Sequence, residues 1–132
     1  MSRSGYSDGC DGWELIRWRG AVKSAMSGRR GKAFLQELLA ALDALPEKRL
    51  IAGAMEDGHG VCALGCVGRQ RGLDMTNLDP YERDDVGSAL GIAGAMAAEI
   101  MYWNDEMYAR TPEDRYALVR RRVEAALAGE VE

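Results

Sequence analysis

Residues 32–45, KAFLQELLAALDAL, place Phe34, Leu35, Leu38, Leu39, Leu42 and Leu45 at steps of three and four, so they form one broad apolar stripe. Nothing inside the run breaks a helix. Gly31 precedes it and Pro46, which cannot continue the hydrogen-bond ladder, follows it. A stripe this wide needs partners, and it identifies the run as a core helix around which the other elements must pack. It carries no chemistry of its own.

The neighbouring segments supply the partners. Leu15, Trp18, Val22, Ala25 and Met26 give a first amphipathic helix from near Trp13, with Arg17, Gly20 and Ser24 on another face. GRRGK then reads as a short turn into the core helix, putting basic side chains and free N–H groups at a helix start. Beyond Pro46, Asp57-Gly58 is a turn signal between two short apolar stretches. VCALGCVG reads either as the second strand of a hairpin or as the start of a helix running to Gly72. A hairpin followed by a helix is the favoured reading. GLDMTNLDP is a polar loop, and a short helix after Asp79-Pro80 stops at Gly91, with Ile92 placed for a C-cap contact. A further helix runs from about Ala93 to Trp103 with Glu99 outward and closes at Asn104-Asp105. The last helix has Thr111 as N-cap, Pro112 at its first position and Glu113 and Asp114 in its first turn. The expected fold is mainly α, a compact single domain of five to six helices with one small β-hairpin around residues 49–65. Residues 1–12 form a loose N-terminal arm, with Tyr6 available to pin it, and residues 13–129 the helical domain.

A chain of 132 residues that is 47% hydrophobic can bury a core without disulfides or metal. Three cysteines, Cys10, Cys62 and Cys66, make no disulfide framework and fit a reducing compartment. No run of about 18 apolar residues is present and the opening residues are polar, so neither a membrane span nor a signal peptide is expected, and the expected location is cytoplasmic.

The net charge of −4 is unevenly spread: residues 1–50 carry +3 and residues 51–132 carry −7. Arg17, Arg19, Lys23, Arg29, Arg30 and Lys32 lie in a stretch without an acid, with Trp13 and Trp18 near for stacking. They are candidates for binding an anion, a nucleotide or nucleic acid. The same six suit a solvated face that pairs with the acidic half of the protein. Asp74, Asp79, Glu82, Asp84 and Asp85, opposed only by Arg83, are candidates for docking on a basic protein partner, or simply for helix and loop solubility. His59, Cys62 and Cys66 follow H-x2-C-x3-C and with Cys10 would supply four zinc ligands. There is no CxxC pair and no second His, so buried structural cysteine is the stronger reading and no metal or cofactor is expected. GRRGK lacks the ending of a Walker loop.

WELIRWRGAV, GRRGKAFLQELLAALDALPEKRLIA, VCALGCVG, RGLDMTNLDP, NDE and TPEDR together resemble a group of small proteins of bacteriophages and prophages. More loosely, Cys-x-Leu-Gly followed by a helix ending in Asn-Asp is similar to a wider set of small phage-type proteins. No activity is established for the group. In its pattern Cys62 is the recurring cysteine, Cys66 is usually Ala and His59 varies. The resemblance implies a non-enzymatic protein that docks on a host or phage protein in the host cytoplasm, inhibition of a host defence such as CRISPR being one version. The alternatives are nucleic-acid or phosphorylated-ligand binding through residues 17–32, and a small enzyme using Cys62 and His59.

Overall fold

Only Gly28 separates the first helix, α1 (Gly12–Ser27), from the second, α2 (Arg29–Ala44), in the computed structural model, which describes residues 2–6 and 12–130. The Gly28 N–H donates to the Ser24 carbonyl and the Gly28 carbonyl accepts from Lys32 N, so one helix hands over directly to the next. Arg29, Arg30 and Lys32 therefore stand in the first turn of α2 and not in a turn before it. Gly31 makes the tight reversal possible: a Cβ there would sit 1.8 Å from the Ala25 carbonyl oxygen, closer than any side chain can come. The expected stripe of α2 is buried through Phe34, Leu35, Leu38 and Leu42, with Leu45 just beyond and Leu39 at the margin. On α1 burial runs through Val22 and Met26, whereas Leu15 and Ile16 are 45% and 63% exposed.

The hairpin is small. Its strands β1 (Glu56–Asp57) and β2 (Gly60–Val61) pair antiparallel, Glu56 opposite Val61, and Asp57 Oδ1 accepts the His59 N–H across the turn. VCALGCVG then divides between both of its readings. Val61 ends the hairpin, Cys62 is the N-cap, and α3 (Ala63–Gln70) begins at the next residue. Three more helices follow: α4 (Arg83–Leu90), α5 (Gly94–Asp105) and α6 (Pro112–Leu127). Gly91 closes α4 at φ 79°, and the Ile92 N–H reaches back to the Gly87 carbonyl. Thr111 accepts the Asp114 N–H at 3.0 Å and so caps α6 as its sequence signals. Over the described residues the protein is mainly helical, a compact single domain of six helices and one hairpin within residues 49–65.

α5 lies against α1, α3, α4 and α6, while α2 packs on α1, α3 and α6. Met96, Ala97, Ile100, Met101 and Trp103 of α5 are buried accordingly. Glu99, expected to face outward, is only 3% exposed, because α1 covers that side of α5 and supplies a cation to it.

Glycine replacements separate the close crossings from the open positions. Gly31→Ala and Gly65→Ala, whose added Cβ would meet Ala25 O and Met55 O, should each lower unfolding free energy by about 1–3 kcal/mol or more. Gly20→Ala, in the exposed interior of α1 with nothing within 4 Å, should raise it by about 0.5–1 kcal/mol. Urea titrations of the three variants check this order.

Candidate functional site

Arg3 is 2% exposed, and a buried guanidinium must be paired. Its Nε and Nη2 donate to Asp105 Oδ2 and Oδ1 at 2.5 and 2.6 Å, and Nη1 lies 3.6 Å from Cys62 Sγ. Asp105 also accepts the Gly53 N–H, and its neighbour Asn104 donates to Asp105 Oδ1 and to the Ile51 carbonyl while accepting the Ala63 N–H at 3.0 Å. Cys62 Sγ accepts the Gly65 N–H at the start of α3. One polar node thus joins residues 2–6, the segment before the hairpin, the start of α3 and the end of α5. Cys-x-Leu-Gly and Asn-Asp, far apart in the chain, meet in it.

The rest of the segment expected to be a loose arm is held as well, as far as residue 6. Ser4 Oγ donates to Glu106 Oε2, and the Ser4 carbonyl accepts from Arg83 Nη1 at 2.6 Å. Tyr6 OH donates to Glu99 Oε1 at 2.7 Å. Residues 7–11, and with them the proposed ligand Cys10, lie outside the described residues, as does the side chain of Trp13. No local pattern announces these contacts, since Arg3 and Asp105 are 102 residues apart.

Of the six basic candidates, one is engaged with α5 and five are exposed. Arg19 is spent on Glu99 through two hydrogen bonds of 2.7 and 2.9 Å. Arg17 and Lys23 point outward from α1, and Arg29, Arg30 and Lys32 are exposed on the first turn of α2. Gly28, the N-cap of α2, offers no side-chain cap, and the first turn contains no acid. Trp18 is half-buried with the Arg83 guanidinium 4.4 Å over its ring.

The five acidic candidates are all exposed. Asp74 and Asp79 accept the N–H two residues on, and the Thr76 hydrogen bonds hold the Asp74 carboxyl below the usual carboxylate range. Glu82 is the N-cap of α4, with Asp84 and Asp85 in the first turn. Among the described residues none of the five joins an ion pair within 4.0 Å. Arg83 turns inward to Ser4 and Trp18, while Tyr81 is 47% exposed amid the acids.

His59 is exposed on the hairpin turn, whereas Cys62 and Cys66 are buried, so imidazole and thiol are not brought together. Burial pushes the Cys66 thiol up to about 12. Among the described residues no group of three or more His, Cys, Asp or Glu side chains is arranged to hold a metal ion. No single described helix is long and apolar enough to cross a membrane. The chain matches no protein-family model, no curated protein and no solved structure.

The node carries a pH signature. Burial raises the Asp105 carboxyl, but hydrogen bonding and charge from Arg3, with further hydrogen bonds from Asn104 and Gly53, outweigh it and hold the group below its ordinary value. A depressed folded-state value stabilises the fold above the unfolded value of about 3.9, and that stability is lost as pH falls through the folded value. Arg3→Ala should cost about 3–5 kcal/mol at pH 7 by leaving Asp105 unpaired. The gap between wild type and Arg3→Ala, measured by urea unfolding, should narrow as pH falls below about 4.

Proposed function

We propose that this is a small non-enzymatic binding protein that docks on the basic, nucleic-acid-binding surface of another protein through residues 74–85. The observation that carries this reading is the uncompensated acidic face. Five exposed carboxylates stand outside every described ion pair, their one interspersed cation is turned inward, and an exposed Tyr81 sits among them. Unpaired like charge on a surface steers a complementary partner and speeds encounter, and an exposed tyrosine among polar neighbours suits the centre of an interface. In the phage or prophage setting implied by the sequence resemblance, the partner is a host or phage protein in the host cytoplasm, a host defence nuclease being one concrete instance.

A second reading is favoured by the start of α2. Arg29, Arg30 and Lys32 are exposed beside an uncapped helix N-terminus, which suits the phosphate of a nucleic acid or a phosphorylated ligand.

Affinity capture from nuclease-treated host lysate separates the two. The docking reading expects a stoichiometric protein partner that is lost with Glu82→Lys/Asp85→Lys and kept with Arg29→Glu/Arg30→Glu. A partner that survives the acid reversal contradicts docking through residues 74–85. Recovery of nucleotides alone, lost with Arg29→Glu/Arg30→Glu, supports the second reading.

A further inference from the structure

Between α1, α5 and α6 lies an open depression of about 460 Å³, within the roughly 300–1,000 Å³ of small-molecule sites. Its walls are the rings of Tyr6, Trp18 and Tyr102, with Leu15 at the side. Tyr6 meets Trp18 edge-on at 6.0 Å between centroids and Tyr102 at 5.1 Å, so the three rings brace one another as an aromatic surface. Glu99 also lines it with most of its acceptor capacity taken: Oε1 accepts from the Tyr6 hydroxyl and Arg19 Nη1, and Oε2 accepts from Arg19 Nη2. The Arg19 and Glu99 charges cancel.

The Trp18 Nε1–H is buried against the Tyr6 hydroxyl, whereas the Tyr102 hydroxyl makes no hydrogen bond among the described residues. Arg122, the last charged group in the wall, lies 5.8 Å over the Trp103 ring and belongs to no ion pair within 4.0 Å among the described residues. Aromatic walls, the unpartnered Tyr102 hydroxyl and one uncancelled cation describe a complement: a flat ring that carries one negative group. We propose that this depression binds a planar aromatic anion, with the ring against Tyr102 and Trp18 and the anionic group toward Arg122. A nucleoside monophosphate and an aromatic carboxylate both offer that chemistry. The site is separate from residues 74–85 and does not depend on the docking reading.

The test is a titration of the intact protein with adenosine 5′-monophosphate and, separately, with 2-naphthoate. It is followed by calorimetry and by the Trp18 indole N–H resonance, assigned through Trp18→Phe. Saturation at one equivalent by either probe, with a shift of the Trp18 resonance, is expected, and which probe saturates identifies the ring source. Arg122→Ala should weaken that probe at least about tenfold, as loss of a charge-assisted hydrogen bond does, while Arg121→Ala, one residue along α6, leaves it unchanged. The wild-type titration needs no variant to fold. Absence of a saturable Trp18 shift with both probes, or equal affinity in a folded Arg122→Ala protein, overturns the proposal.

Discussion

The carboxamide of Asn104 occupies the point on which the fold closes. Buried at the end of α5, it accepts the first N–H of α3 and donates to the Ile51 carbonyl and to Asp105. Without it the Ala63 N–H and the Ile51 carbonyl would each be an unpaired polar group away from water, at a cost of about 1–3 kcal/mol apiece. Asp105 extends the network outward to Gly53 N and inward to Arg3, so residues from the N-terminal segment to the start of α3 depend on two adjacent side chains. A half-satisfied version of such a network is worse than none, which makes it a device for specifying one arrangement more than for adding stability.

Around that point the apolar packing follows from small residues. Gly31 lets α1 and α2 cross at backbone distance, and Gly65 does the same for α3 against Met55. Met26, Met96 and Met101 are buried in the same core, where flexible side chains fit irregular gaps. The surface is organised differently. Residues 2–6 draw Arg83 inward, and α5 draws Arg19 inward through Glu99, so two cations are removed from the exterior and the acids of residues 74–85 are left uncompensated. The charge asymmetry of the sequence is thereby sharpened near α4.

The helices were legible because their signals are local. Phe34 to Leu42 declare their face by spacing, Thr111-Pro112 declares the start of α6, and Gly91 the end of α4. The fate of Arg3, Arg19 and Glu99 was not legible, because each is decided by a partner 80 or more residues away. Glu99 read as an outward residue by chemistry alone; its burial is a consequence of α1 lying across it. The turn expected at GRRGK vanished for a related reason, since only tertiary crossing at Gly31 reveals that one residue is enough. Apart from Arg19, both charged candidate sets are exposed, but their grouping depended on which cations the interior claimed.

Native-state amide hydrogen exchange at Ala63 tests the closing role of Asn104 most directly, because that N–H is bonded to the Asn104 side chain and not to another backbone group. If the node is integral to the fold, Ala63 exchanges only on global unfolding, with the same opening free energy as the Leu38 and Leu42 amides of the core helix. Exchange at Ala63 through a much cheaper local opening, while Leu38 and Leu42 stay protected, would contradict the account.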